Sequence, residues 1–275
     1  MRISKRFLIA AVIIVFAAAI SFKIFLDSIY RLPVLMYHSI DYTSDRKDRM
    51  TVPPDVFAKQ MKYLSDKRYN VIPLEKAVEY IEREERPPRN TVAITIDDGY
   101  ANNYTYVYPV LKRYHIPATI FIIVNMVGEE GFLNWDKIKE MSDSGVIDIE
   151  SHTISHTWLT GLDDARLRSE LMDSKRILEG GVGKEIKYLC YPMGAYNEHV
   201  KSAVKAAGYK AAFATKPTRL SPNYDICEIK RVRISPAANN LFVFVIKISG
   251  YHSFLRVIQN DYKDIPYLLW KRKSL

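Results

Sequence analysis

Cysteine is scarce. The 275 residues include two, Cys190 and Cys227, too few for a disulfide framework, and both are read as free thiols. No glycine-rich dinucleotide fingerprint or P-loop occurs, so the usual nucleotide-binding folds are excluded. Gly/Ser-rich linkers and internal repeats are missing too, so nothing cuts the chain into separate units. No nucleic-acid motif is present. The net charge of +9 is scattered rather than clustered, which points to anionic surroundings such as phospholipid or wall polymer and away from nucleic acid.

What is present begins at the N-terminus. Met1-Arg2-Ile3-Ser4-Lys5-Arg6 is a basic lead, and Phe7 to Phe22 is almost wholly apolar. Ala17-Ala18-Ala19 offers a small-residue cleavage site. Extension through Lys23-Ile24-Phe25-Leu26, with Lys23 snorkelling, would instead complete a membrane span of roughly 20 residues. An uncleaved anchor over residues 1–30 is the expectation, with a cleaved leader as the alternative. Either way Arg2, Lys5 and Arg6 stay inside and residues 31–275 form one extracytoplasmic domain.

Within that domain short apolar runs alternate with helical patterns. Strands are expected at Pro33–His38, Tyr69–Ile72, Val92–Ile96, Ala118–Val124, Val146–His152, Lys187–Tyr191, Tyr209–Thr215 and Ile229–Ile234. Buried strands alternating with helices imply parallel β/α units. The polar residues of interest recur where strands end, and barrel active sites lie on that rim. The expected fold is therefore α/β: a distorted (β/α) barrel of about seven strands, preceded by an N-terminal membrane helix. Leu241–Ile248, another apolar run, is a candidate to close the barrel.

Asp97 and Asp98 follow the apolar run Val92–Ile96. Two adjacent carboxylates repel unless a cation separates their roles. A metal ion does so if one ligates it and the other stays free as a base. His152 and His156 are four residues apart, a spacing that on a helical turn puts both rings on one face. Two histidines and a carboxylate form a common catalytic set for zinc, and suit iron(II) as well. His115, His199 and His252 have no comparable context and are read as surface or structural.

Ile94-Thr95-Ile96-Asp97-Asp98-Gly99-Tyr100, Ser151-His152-Thr153-Ile154-Ser155-His156 and Tyr191-Pro192-Met193-Gly194-Ala195-Tyr196-Asn197 resemble three ordered signatures of the polysaccharide deacetylases, carbohydrate esterase family 4. The match also runs through Asn102-Asn103-Tyr104, Pro117–Phe121, Leu133-Asn134-Trp135 and Gly208-Tyr209. Val34-Leu35-Met36-Tyr37-His38 resembles the opening strand of the permuted branch, which includes poly-β-1,6-N-acetylglucosamine deacetylases. The resemblance implies Asp97 as base, His38 as acid, and Asp98, His152 and His156 as ligands of a divalent metal, zinc first, with iron, cobalt or nickel as alternatives.

It further implies an N-acetylated polysaccharide as substrate, poly-N-acetylglucosamine first with peptidoglycan or a chitin-type polymer as the alternative, released acetate, and a link to polysaccharide synthesis or export machinery; the reading from another class is a catalytically silent carbohydrate-binding scaffold. Tyr100, Trp135 and Tyr191 are candidate aromatic faces for sugar rings. Pro192, Met193 and Gly194 would flank the substrate, with the Met193 N–H facing the oxyanion. Two departures stand out. Cys190 occupies the place where the third signature usually has an Arg that orients the base, and Arg231 or Arg233 are the candidates to replace it. The fourth signature, an Asp near a Trp, is not found. The mixed aromatic and basic segment from Tyr251 to Leu275 is expected to be a tail or a helix packed on the barrel.

Overall fold

The computed structural model describes residues 5–43, 50–215 and 225–255. Most of the expected loop at 41–50 and the basic end Lys271-Arg272-Lys273 lie outside the described residues. The elements in order are α1 (Lys5–Ile29), β1 (Val34–Tyr37), α2 (Pro54–Asp66), β2 (Asn70–Val71), α3 (Leu74–Glu82) and β3 (Thr91–Ile96). A π-helical turn, Asn103–Val107, then leads into α4 (Tyr108–Tyr114), followed by β4 (Ala118–Ile122), α5 (Trp135–Asp143), β5 (Ile147–Ser151) and α6 (Asp164–Val182). The last group is β6 (Tyr188–Cys190), α7 (Glu198–Ala206), β7 (Ala211–Ala214), β8 (Ile229–Lys230), β9 (Val232–Arg233) and α8 (Leu241–Ile248).

The strands form one sheet in the order β8-β7-β6-β5-β4-β3-β1-β9, with β2 beside β3, and every named pairing is parallel. Only Arg231 separates β8 from β9. The two are halves of one stretch that pairs with β7 on one side and β1 on the other, so the sheet is a nearly closed barrel. The seven-stave expectation holds if β8 and β9 count as one stave and the off-path β2 is set aside. β3 is buried along its whole length, as a strand covered on both faces must be. Side-chain caps set helix starts: Asn134 accepts from the Lys137 N–H, Asp163 from Arg166 and Asn197 from Val200.

One expectation is corrected. Leu241–Ile248 does not close the barrel as a strand; it is helix α8. Asn240 caps it by accepting from the Phe242 N–H, and Phe244 and Ile248, four apart, form its buried face. A short, wholly apolar run has no periodicity to separate strand from helix.

At the other end, α1 contains a 19-residue stretch, Ala11–Ile29, with mean hydropathy 2.2 and none of it buried in the molecule. Its C-terminal end is tied to the domain. Asp27 pairs with Arg89 at 3.1 Å, the Arg31 N–H donates to the Gly250 carbonyl at 2.9 Å, and Tyr30 packs edge-on against Tyr251.

Candidate active site

Four strand ends deliver the site. β3 ends in Asp97, after which the backbone turns left-handed at Asp98 (φ 75°) and Gly99 (φ 76°). Aspartate is among the few residues that tolerate this region. A side chain at Gly99 would put its Cβ 2.7 Å from the terminal methyl of Ile122, which can shift, so it is the positive φ that calls for glycine there. The turn brings both carboxylates into one pocket of about 720 Å³. β5 delivers His152, but His156 does not follow on a helical turn as the spacing suggested. Residues 152–156 form an irregular loop with left-handed Thr153 (φ 69°) and His156 (φ 57°).

The loop brings the rings together all the same. His152 Nε2 lies 3.4 Å and His156 Nε2 3.7 Å from Asp98 Oδ1, and the three donor atoms fall within 4.8 Å of one another. His152 Nδ1 is 2.8 Å from the Cys190 carbonyl. A carbonyl can only accept, so Nδ1 carries a proton and Nε2 is the nitrogen turned to Asp98. This is how ligand imidazoles are usually oriented. The donor set, its spacing and its tautomer fit a divalent cation with oxygen and nitrogen ligands.

Asp97 is held differently. Arg231 donates from Nη1 to Oδ1 at 2.6 Å and from Nη2 to Oδ2 at 2.7 Å, a two-pronged contact. Both side chains are buried. The same guanidinium donates to Thr95 Oγ1 at 2.9 Å and to Cys190 Sγ at 2.9 Å, and it lies over the Phe121 ring. The Cys190 thiol in turn donates to Asp97 Oδ2 at 3.5 Å. Burial alone would raise the Asp97 pKa, but the Arg231 cation outweighs it and holds the carboxyl well below the usual range. Burial pushes the Cys190 thiol up, so it stays a neutral donor. A small residue at 190 leaves room for the guanidinium that enters from the β8–β9 break.

β1 delivers His38, which is buried with Nε2 3.7 Å from Asp97 Oδ2. Burial lowers its pKa, opposed by Asp97 and Asp98. Among the described residues its Nδ1 has no hydrogen-bond partner, which for a buried ring nitrogen marks a position held for more than packing.

The arrangement has relatives. A family model described as polysaccharide deacetylase matches residues 84–212. The Bacillus subtilis protein YxkH, assigned to the polysaccharide deacetylases, is 37% identical over 206 residues, 75% of this chain and 72% of that protein. The chain belongs to the polysaccharide deacetylases. The poly-β-1,6-N-acetyl-D-glucosamine N-deacetylase of Staphylococcus aureus is 32% identical over 216 residues, 74% of this deacetylase and 73% of that one. Among solved structures, the Streptococcus pyogenes deacetylase PplD in complex with acetate superposes with a TM-score of 0.70 at 27% identity, covering 77% of this chain and 96% of that one.

Other expected site residues of the deacetylase divide. Tyr191, Met193, Arg231 and Arg233 line the pocket with the carboxylates and histidines. Met193 is left-handed (φ 52°) and partly exposed. Gly194 lies so close to Thr215 that a Cβ would fall 1.9 Å from its Oγ1. Tyr191 is fully buried, stacked on Tyr196 with its hydroxyl donating to the Cys227 carbonyl, so its ring presents no face to a sugar. Tyr100 stacks on Phe132. Trp135 is not brought to the site: its ring packs over Gly181 of α6.

Arg231 and Arg233 part company, although residues two apart on a regular strand share a face. The stave breaks at Arg231, which alone turns to Asp97. His252, read as surface or structural, also lines the pocket. Residue spacing assigned no role to Glu170, whose carboxylate accepts from the N–H groups of Ile154 and Ser155 at 2.9 and 3.0 Å and so fixes the histidine loop. Nor did it assign one to Asn103, which donates to the His38 carbonyl at 3.1 Å.

Proposed function

We propose that this deacetylase removes N-acetyl groups from an extracytoplasmic amino-sugar polymer of the poly-N-acetylglucosamine type in a metal-dependent hydrolysis. The observation that carries this reading is the division of labour between adjacent carboxylates. Asp98 faces two imidazoles, while Asp97 is locked to a buried guanidinium. A divalent cation held by Asp98, His152 and His156, zinc first and iron, cobalt or nickel as alternatives, supplies Lewis acidity and lowers the pKa of water.

The chain's own residues do the rest. Asp97, kept ionised by Arg231, accepts a proton from the attacking water as its oxygen bonds to the acetamide carbon. The N–H of Met193 faces the developing oxyanion. His38 then gives a proton to the sugar nitrogen as the C–N bond breaks, yielding acetate and a free glucosamine unit. Burial lowers the His38 pKa, which makes its imidazolium a stronger acid toward the departing amine. The link to poly-β-1,6-N-acetylglucosamine draws support from the S. aureus relative's stated substrate and from the histidine on the opening strand.

The exposed apolar stretch of α1 serves as an anchor that holds the domain at the outer membrane surface, close to polymer synthesis or export machinery. Acetate release is measured side by side from poly-β-1,6-N-acetylglucosamine, chitin oligomers and peptidoglycan, with and without chelator. Release that prefers the first polymer and stops on chelation is expected. Preference for either of the others moves the substrate. Full activity in chelated, metal-free protein, or no release from any polymer, overturns the reading.

A further inference from the structure

Arg231 takes the role for which two arginines were candidates, and Arg233 is left without one. It stands at the end of β9, exposed, on the wall of the catalytic pocket. Its Nη1 approaches Met50 Sδ at 3.9 Å, and it makes no ion pair among the described residues. Its carbonyl accepts from Lys247 Nζ at 2.5 Å. The carboxylates among the described lining residues are Asp97 and Asp98 alone. The first is neutralised by Arg231 and the second is turned to His152 and His156. Among the described residues, the charge that these pairings leave on the β9 side of the pocket is that of Arg233.

This matters because the reaction changes the charge of its own substrate. An acetamido sugar is neutral, whereas the glucosamine left behind carries an amine that is protonated near neutral pH. A polymer sliding through the pocket presents reacted and unreacted sugars side by side. We propose that Arg233 makes the β9 side of the pocket a charge-selective subsite for the sugar next to the reacting one, accepting N-acetylglucosamine and rejecting glucosammonium. The inference rests on the function proposed above and adds a consequence: the free amines produced are spaced along the chain rather than clustered. Two unit charges about 7 Å apart in a largely aqueous groove repel enough to change occupancy by roughly 3- to 8-fold. Such an effect collapses when 1 M salt shortens the screening length to about 3 Å.

The test uses the full chain with β-1,6-linked N-acetylglucosamine hexamers, either fully acetylated or carrying one internal glucosamine. Binding is read by calorimetry with His38→Gln added to each protein, which removes the acid and stops turnover while leaving the pocket's carboxylates and arginines in place, and products are read by mass spectrometry at matched acetate release without that change. The wild type is expected to bind the fully acetylated hexamer about fivefold more tightly in low salt, and equally in 1 M salt. Arg233→Gln should bind both alike and give more multiply deacetylated product, and Arg233→Lys should keep the discrimination. Equal binding of both hexamers by the wild type, or discrimination unchanged in Arg233→Gln, overturns the inference. Because binding is read without turnover, a lack of acetate release sinks the enzymatic reading separately and leaves this one to be decided by the calorimetry.

Discussion

On one side of the rim, Asp97, Asp98, His152 and His156 leave β3 and β5, two strands of the same sheet separated only by β4. Their loops turn through left-handed residues and are pinned from behind, by Ile122 against Gly99 and by Glu170 against the histidine loop. On the other side, at the seam, His38 and Arg231 come from β1 and the β8–β9 break, close to the first and last staves of the barrel. The first side is built from local signatures. The second exists only once the sheet has curled round to meet itself. Ligand geometry is thus a property of short segments, while the ionisation and aim of the base are properties of the closed barrel.

The largest effects break the ligand side. Asp98→Asn is expected to lose bound metal and acetate release together, both measured on the same preparation. Asp97→Asn should retain metal by elemental analysis while kcat falls by about 10²- to 10⁴-fold, the usual contribution of a general base. If Asp97→Asn also empties the site, the division between the two carboxylates is wrong.

Next comes the seam. Arg231→Gln strands a buried carboxylate and should destabilise the protein by about 3–5 kcal/mol in urea unfolding, with kcat reduced and metal retained. The exchange Cys190→Arg with Arg231→Cys sharpens the comparison. Partial recovery of kcat over Arg231→Gln would show that the pocket needs a guanidinium at this spot whichever strand supplies it. Smaller again is Glu170→Gln, which loosens the histidine loop. Metal affinity should drop about 10- to 100-fold, with kcat regained at saturating metal.

The smallest effect is a pH slope. The folded pKa of His38 lies below 6.5 because burial opposes its charge, so below that pH the unfolded chain binds more protons than the folded one. Stability of the chelated protein should therefore rise with pH up to about the ordinary histidine pKa, and His38→Gln should flatten that slope. An unchanged slope would mean that His38 is not buried as described.

How much could be read from residues alone follows the same division. Alternating apolar runs and helical patterns are enough to give the parallel barrel, and the strand-end carboxylates and histidines announce the pocket. The helical turn assumed for His152 and His156 failed because left-handed Thr153 and His156 produce the same convergence in an irregular loop. Nothing in residue spacing says that β8 and β9 pair with opposite neighbours, so Arg231 and Arg233 could not be told apart. Glu170 lies mid-helix on α6 with no local sign that its carboxylate reaches another loop. The apolar Leu241–Ile248 was ambiguous by its nature, and Trp135 gave no sign that its partner would be a glycine on α6.

The break in the last stave also has a consequence for the order of events. β1 and β3 are made early, yet the guanidinium that neutralises Asp97 lies at position 231, more than a hundred residues further along. A nascent chain can hold both carboxylates and both histidines and still lack a counter-charge for its base, so the barrel has no reason to swallow Asp97 until the late segment arrives. Closing the sheet and arming the enzyme are one event, and a truncated chain is not merely less stable but chemically unlicensed.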